Sequence, residues 1–482
     1  MRFWKRVVAG ATAGLFALPG AHGQEAELRS QVESLKQEVD TLRAQMSKLL
    51  DLVQKLQAAN PGATAPAVPG AAGVPAAGAA APVTPMTAGG VPAAAAASGA
   101  AAPAPAAVAA AQPLPAPPAP APEEPATTFG GYGELAYNNY VRDSSRNQAD
   151  LRRFVLLLGH RFSDELSFNS EVEWEHAVAS AADRGESEIE QAYLDYRFKS
   201  GAALKSGLFL MPFGFLNTAH EPPVYYGVER NSVETRIIPS TWREGGLGLY
   251  GATESGLAWD FGVTTGFDIA KFDDASAPLA SIHQELQLAN ARDLGVYTAL
   301  NYRGVPGLTA GGAIFHGNTG QGNADYRADA TLPDFAGISA PLTLWEVHSR
   351  WQSGGLDLQA LYAQGSIGDG DRIDRVLAAY NAATGASRPF VPSGFYGWLL
   401  QGAYTAWRHG DMSLTPFVRY EEYNTQSRMP AGFGADPANA DRVATVGLSF
   451  KPHPQVVFKA DYQRFLDHSL NDRFNLGMGY MF

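Results

Sequence analysis

The chain has 482 residues, a formal net charge of −12 and no cysteine. The lack of cysteine excludes disulfides, thiolate metal sites and a cysteine nucleophile, and the acidic balance argues against nucleic acid as a partner. Glycine and aromatic residues are both plentiful, which is typical of many strands joined by turns. No segment has the roughly 18 apolar residues that a membrane-spanning helix needs. If this chain spans a membrane, it must therefore do so as a closed barrel.

Residues 1–23 are predicted to form a secretory signal peptide. A positively charged start is followed by a short apolar segment at 7–18 and by the small-residue cleavage site Ala21-His22-Gly23. The apolar segment is too short to span a bilayer, so we expect export rather than an N-terminal anchor.

Residues 24–57 are predicted to form an α-helical coiled coil, and hence an oligomerisation segment. Apolar residues recur at alternating spacings of four and three, at Leu28, Val32, Leu35, Val39, Leu42, Met46, Leu49, Val53 and Leu56. Valine at three of the four a positions, with Met46 at the other and leucine at every d position, favours two helices. Residues 58–126 are almost entirely alanine, proline and glycine, a composition that predicts a disordered linker.

From about residue 127 the sequence alternates between apolar and polar residues. Sixteen strands are predicted near 129–140, 149–162, 165–177, 186–199, 202–212, 245–253, 256–267, 291–304, 307–317, 341–353, 355–365, 395–407, 412–423, 440–451, 455–464 and 473–482. Seven tight turns alternate with eight longer loops between them. Short turns at one end and long loops at the other are typical of outer-membrane barrels. The predicted fold is an all-β, 16-stranded antiparallel transmembrane barrel.

The last strand shows the alternation most clearly. Its apolar row is Phe474, Leu476, Met478, Tyr480 and Phe482, with aromatic residues at both ends as at the two interfaces of a bilayer. Taken alone, this stretch also fits the last strand of a soluble sandwich. In the barrel, we expect it to pair with 129–140 and to turn Arg473 and Asn475 towards the lumen.

Sixteen strands enclose an interior too wide for wall side chains to fill, so the sequence predicts an aqueous channel. The predicted pore-lining wall residues are Arg153, Arg161, Glu171, Glu173, Asp195, Arg197, Lys205, Arg419, Lys459 and Arg473. Rows of both signs set a transverse field but do not establish anion or cation preference.

The loop at about 213–244 is rich in aromatic residues, proline and charge, so we expect it to fold into the lumen as a constriction. The candidates for the constriction are His220, Glu221, Glu229, Arg230, Glu234, Arg236, Arg243 and Glu244. For any one of these charges, the alternative is a salt bridge that fixes the loop to the wall.

No pattern predicts catalysis, a cofactor or a metal site. Glu171, Glu173 and Glu175 are spaced by two on one strand, which favours a lumen row over a calcium or acid–base site, and the histidines lack ligand spacing. His409-Gly410-Asp411 is interpreted as a turn. A barrel enzyme would need a nucleophile and base, and no pair is evident by spacing.

Four stretches resemble the phosphate-selective porin O/P-like family, which includes DcaP-like channels with an N-terminal coiled coil. They are 129–135, 153–162, 188–194 and, most specifically, His220–Asn231. The resemblance implies a homotrimeric porin in the outer membrane of a Gram-negative bacterium, with lipid around it and the coiled coil in the periplasm. It also implies that Phe482 is read by the barrel-assembly machinery, and it favours three helices in the coiled coil.

The expected function is passive diffusion of small hydrophilic solutes. Small anions such as phosphate or dicarboxylates fit the resemblance. Phosphate-selective members of the family line the pore with arginine and lysine, however, and lysine is sparse in this barrel. A general porin without anion selectivity is therefore retained as an alternative. The alternative from another class is a structural tether that reaches the cell wall through the linker and coiled coil.

Overall fold

The computed structural model describes residues 126–180, 183–323 and 331–482. The predicted signal peptide and coiled coil, and all but the last residue of the predicted linker, lie outside the described residues.

The described residues form one antiparallel sheet of sixteen strands, each paired with the next along the chain. The strands are β1 Thr127–Tyr140, β2 Gln148–Arg161, β3 Leu166–Glu175, β4 Ser187–Arg197, β5 Ala203–Leu210, β6 Arg243–Ala252, β7 Leu257–Thr264, β8 Gly295–Tyr302, β9 Leu308–Asn318, β10 Pro341–Ser353, β11 Leu356–Ile367, β12 Gly394–Tyr404 continued at Trp407–His409, β13 Met412–Arg428, β14 Ala440–His453, β15 Val456–Phe465 and β16 Arg473–Met481. All sixteen predicted strands are present.

The sheet closes because β1 pairs with β16, from Tyr132 opposite Met481 to Tyr140 opposite Arg473. The predicted closing pair is therefore confirmed, and the fold is a barrel without free edges. Phe482 extends the closure, since its backbone N–H donates to the carbonyl of Gly131 at 2.8 Å.

Alternate side chains point outwards and inwards, as predicted for a wall between lipid and lumen. On β16, Phe474 and Leu476 are 42% and 43% exposed on the outer surface, whereas the Asn475 side chain between them is fully buried inside. Its amide donates to Asp461 Oδ1 of β15 at 2.7 Å.

Two of the β-bulges place an additional polar residue in the wall. Opposite β1, the pairing moves from Arg153 to Leu151 and leaves Arg152 as the extra residue. Opposite β3, it moves from Gln191 to Ile189 and leaves Glu190 as the extra residue. A bulge re-aims a side chain, and in both places two consecutive polar side chains point into the lumen.

The described residues include eight long loops at one end of the barrel: L1 141–147, L2 176–180 and 183–186, L3 211–242, L4 265–294, L5 319–323 and 331–340, L6 368–393, L7 429–439 and L8 466–472. L6 contains the helix α1, Gly370–Thr384, which the sequence analysis did not predict. Gly385 ends α1 in a left-handed conformation and donates its N–H to Asn381. Among the described residues, no helix is long and apolar enough to cross a bilayer.

Part of the interior is filled by an apolar core. L3, L4, L5 and L6 bring buried aromatic and aliphatic side chains together against the inner surface of β8 to β12. Trp242 lies near the centre, with its ring 4.8 Å from Phe213, 5.2 Å from Phe267 and 5.3 Å from Phe315. The sequence predicted a lumen too wide to fill, but the inward-folded loops supply the side chains that the wall lacks.

Candidate functional site

L3 folds into the barrel and runs along the inner wall. Glycines on the wall make room for it. A Cβ at Gly479 would overlap Pro222, and one at Gly477 would lie 3.1 Å from Val228. On the opposite side, a Cβ at Gly397 of β12 would lie 3.0 Å from Ile237. The sequence prediction that this loop enters the lumen agrees with these contacts.

Charged and polar contacts hold the segment of L3 from His220 to Asn231. The Glu229 carboxylate accepts two hydrogen bonds from the Arg152 guanidinium and one at 2.7 Å from the Asn138 amide. Burial raises the pKa of Glu229, but Arg152 and Arg473 outweigh it and lower that pKa to about 2. Glu229 is therefore a carboxylate that fixes L3 to β2. This corresponds to the alternative of a salt bridge to the wall, rather than to a free charge at a constriction.

Backbone and hydroxyl groups add to this attachment. The Val228 N–H donates to Asp461 Oδ2 at 2.6 Å, and the Tyr225 hydroxyl donates to Glu134 Oε2 at 2.8 Å. The Lys459 ammonium lies 3.5 Å from the centre of the Tyr225 ring. Lys459, a predicted pore-lining residue, is therefore buried on the wall beneath L3.

Glu221 and Glu234 are both buried, and neither lines an open passage. Glu234 Oε1 accepts the backbone N–H groups of Phe215 at 2.5 Å and Leu216 at 2.7 Å, so it stabilises a turn of L3 itself. Burial raises the pKa of Glu234. This internal role follows from the loop folding back on itself, which spacing along the chain does not reveal.

Arg243 and Glu244 belong to β6, which begins two residues earlier than predicted. Arg243 pairs with Glu188 at 2.5 Å and with Glu285 at 2.8 Å. Glu244 accepts the Trp242 indole N–H at 3.0 Å and is fully buried. Both side chains brace the ends of L3 and L4.

The wall residues mostly form pairs within the lumen. Lys205 pairs with Asp260 at 2.6 Å, and Arg419 pairs with Glu421 at 2.7 Å. Asp195 accepts the hydroxyl of Tyr250. Arg161 and Arg197, which were also predicted to line the wall, are exposed at the strand ends beside the short turns.

Arg153 is shared among three carboxylates. It lies 3.2 Å from Glu134, 3.2 Å from Glu173 and 3.7 Å from Glu175. This cluster is continuous with His220, whose Nε2 lies 2.8 Å from the Tyr132 hydroxyl.

Three inward-facing arginines differ from the rest of the wall. In the described part of the chain, no carboxylate lies within ion-pair distance of Arg230, Arg236 or Arg473. Arg230 donates to the Ser240 hydroxyl at 2.7 Å, Arg473 donates to Gln463 at 2.7 Å, and Arg236 lies 4.9 Å from the centre of the Tyr423 ring. We call these three residues the arginine group. All three are partly accessible to solvent.

Arg152 and Glu190 point into the lumen but were not predicted from the sequence. Period-two alternation assigns one polar side chain per two residues to the lumen, and each of these residues is the extra one in a bulge. The only available signal was the pair of adjacent polar residues, Arg152-Arg153 and Glu190-Gln191, in otherwise alternating strands.

Comparisons with known proteins agree with this architecture. A family model described as phosphate-selective porin O and P matches residues 130–224. An uncharacterised protein of Aquifex aeolicus is 33% identical over 361 residues, which cover 74% of this chain and 80% of that protein.

Solved structures align with this chain at low identity. OmpF of Salmonella typhi, in complex with daunomycin, aligns with a TM-score of 0.50 and 12% identity over 74% of this chain and 97% of that chain. The channel DcaP of Acinetobacter baumannii aligns with a TM-score of 0.45 and 12% identity, over 74% of this chain and 97% of that chain. An anion-selective porin from Comamonas acidovorans aligns with a TM-score of 0.43 and 10% identity, over 74% of this chain and 99% of that chain.

Proposed function

Because the chain belongs to the phosphate-selective porin O and P family, we propose that it carries small hydrophilic anions across the outer membrane by passive diffusion. That it is an outer-membrane channel follows from the family. The selectivity, the constriction by L3 and a homotrimeric assembly are the proposed parts.

The observation that carries the anion proposal is the arginine group. Several carboxylates inside the barrel are paired with arginines, as in the pairs of Glu229 with Arg152 and Asp357 with Arg350. Arg230, Arg236 and Arg473 have no such partner among the described residues. Unneutralised positive charge beside a narrow passage lowers the barrier for an entering anion and raises it for a cation.

The surroundings of Arg473 extend this positive region towards the long-loop end. The Tyr140 ring has the guanidinium of Arg146 4.0 Å from its centre and that of Arg473 5.7 Å away. Arg146 donates to Asn471 at 3.0 Å rather than to a carboxylate. A solute arriving at this end would meet Arg146 and Arg473 before it reached L3.

The test is the reversal potential of the purified protein in planar bilayers across a salt gradient. Chloride, inorganic phosphate and succinate are compared as potassium salts. We expect anion selectivity in the wild type. In the triple variant Arg230→Gln/Arg236→Gln/Arg473→Gln, we expect the anion-to-cation permeability ratio to fall about fivefold, because one charge about 4 Å away contributes about 1 kcal/mol even in water.

Arg464→Gln is the matched control. Arg464 is exposed on the outer surface of β15, in the same row as Phe458, and no carboxylate pairs with it among the described residues. Its replacement should leave the reversal potential unchanged. A cation-selective wild type, or a triple variant as anion-selective as the wild type, would contradict the proposal. Equal permeability to all three anions would indicate a general anion porin.

A further inference from the structure

Three buried side chains from separate segments converge where L3 meets the wall. Glu171 comes from β3, Glu190 from the bulge in β4 and His220 from L3, and they are 2%, 0% and 3% exposed. One ligand atom from each lies within 4.8 Å of the others. The sequence placed Glu171 in a lumen row, but it could not bring Glu190 and His220 to it.

The distances between these atoms fit metal ligands better than hydrogen bonds. His220 Nε2 is 3.5 Å from Glu171 Oε1 and 3.6 Å from Glu190 Oε2. These separations exceed those of good N–H···O hydrogen bonds. Donor atoms about 2.0–2.2 Å from a tetrahedral zinc ion lie about 3.3–3.6 Å from one another.

Glu190 provides independent support. Its side chain is completely buried, and neither carboxylate oxygen has a hydrogen-bond partner among the described residues. Glu173 lies next to it, and Arg153, the guanidinium of this cluster, is already shared with Glu134. A buried carboxylate without hydrogen bonds is costly, and a bound cation would reduce that cost.

The surrounding contacts orient the ligands. His220 Nδ1 lies 3.2 Å from the backbone carbonyl of Asn217, so a proton on Nδ1 leaves the Nε2 lone pair directed at the carboxylates. The Gln191 amide donates to Glu171 Oε2 at 2.7 Å, and the Tyr132 hydroxyl donates to Glu171 Oε1 at 2.9 Å. Second-shell contacts of this kind fix the tautomer and orientation of metal ligands.

We propose that Glu171, Glu190 and His220 bind one divalent transition-metal ion, with Zn²⁺ as the best match, and that the ion fastens L3 to β3 and β4. An imidazole with two carboxylates suits Zn²⁺, whereas Ca²⁺ takes oxygen ligands. The Tyr132 hydroxyl, 2.8 Å from Nε2, borders the site.

The test measures metal content in the full chain, purified without a histidine tag. The protein is loaded with Zn²⁺ alone, dialysed and assayed by mass spectrometry. We expect about one Zn²⁺ per chain in the wild type and less than a tenth of that in Glu190→Gln and His220→Ala. Glu190→Gln keeps the size of the side chain, so it remains informative if His220→Ala fails to fold.

His348→Ala is the matched control. His348 Nδ1 makes an ordinary contact with Glu346 Oε2 at 2.9 Å, also inside the barrel, but belongs to no three-ligand cluster within the described residues. The His348→Ala variant should therefore retain about one Zn²⁺ per chain. Anomalous diffraction at the zinc edge should place the ion between Glu171, Glu190 and His220.

No bound Zn²⁺ in the wild type, full retention in Glu190→Gln, or an anomalous peak elsewhere would overturn the assignment. The first outcome would mean that protons alone occupy the cluster. The proposal is independent of ion selectivity, since metal content is read without a bilayer. An anion-selective channel without metal would refute this inference and leave the proposed function intact.

Discussion

Two parts of L3 are held by different kinds of contact. From His220 to Asn231 the loop contacts the wall of β1, β2, β15 and β16 through ion pairs and hydrogen bonds, such as that of Glu229 with Arg152. From Val233 to Trp242 it packs into the apolar core beneath L4, L5 and L6. One loop thus separates a polar wall from a sealed apolar region.

This difference has a consequence for transport. An apolar core packed at protein density excludes water and ions, so the proposed passage lies on the polar side of L3. There the loop is attached by directional contacts, and Arg230 and Arg473 have no carboxylate within ion-pair distance among the described residues. Packing on the apolar side makes L3 rigid, and the polar side presents its charged and hydrogen-bonding groups. Perturbing each side separately should reveal this division.

The largest effect should come from the apolar side. Trp242→Ala removes a fully buried indole that contacts three aromatic rings, and truncations of this kind cost about 3–5 kcal/mol. We expect a lower free energy of unfolding in urea and noisier single-channel currents. Trp351→Ala is the control, because Trp351 is 46% exposed on the outer surface. Equal losses of stability in the two variants would argue against a core centred on Trp242.

An intermediate effect should come from the polar side. In Gly479→Ala, the new methyl group would overlap Pro222 and push L3 from β16, at a cost of about 1–3 kcal/mol. We expect altered single-channel conductance with the barrel still folded. Gly402→Ala is the control, because its methyl group would meet only Leu358 Cδ2 at 3.4 Å. Unchanged conductance in Gly479→Ala would mean that this contact does not set the passage.

The smallest effect concerns α1. Asp374 is buried, its Oδ1 accepts the Val391 N–H at 2.8 Å, and burial raises its pKa from 3.8 to about 7. Between these values the folded state binds more protons than the unfolded state, so the stability of α1 should fall as pH rises from about 4 to 7. Below that range the contribution is fully present.

Hydrogen exchange of α1 and the segment after it, corrected for intrinsic rates, measures this dependence. Asp374→Asn should abolish it, because the amide does not titrate. Asp371→Asn serves as the control, since Asp371 is exposed on the same helix and pairs with Arg375. A pH dependence that survives in Asp374→Asn would assign it to another group.

Much of the barrel was accessible from sequence because alternation and turn chemistry are local. The strand at 473–482, its pairing with 129–140 and the inward direction of Asn475 were all predicted and are all present. The helix α1 was missed. Its sequence lies inside a long loop, and its buried residues Ile373 and Leu377 face a core that exists only once the other loops have folded in.

The candidate site divides in the same way. Composition alone marked L3 as a loop that packs, and this holds because proline and aromatic residues need a surface to pack on. The direction of each charged side chain of L3, by contrast, depends on contacts with distant segments and could not be predicted from the local sequence. Glu229 and Glu234 became anchors, whereas Arg230 and Arg236 were left without carboxylate partners in the described structure.

The sequence by itself determined a sixteen-strand barrel, because a period of two and the alternation of short and long connections are written residue by residue. Tertiary structure alone decided how the lumen is partitioned and which side chains meet there. Glu171, Glu190 and His220 come together through a bulge and a loop that crosses the barrel. Neither leaves a periodic trace, since each depends on contacts between segments far apart in the chain.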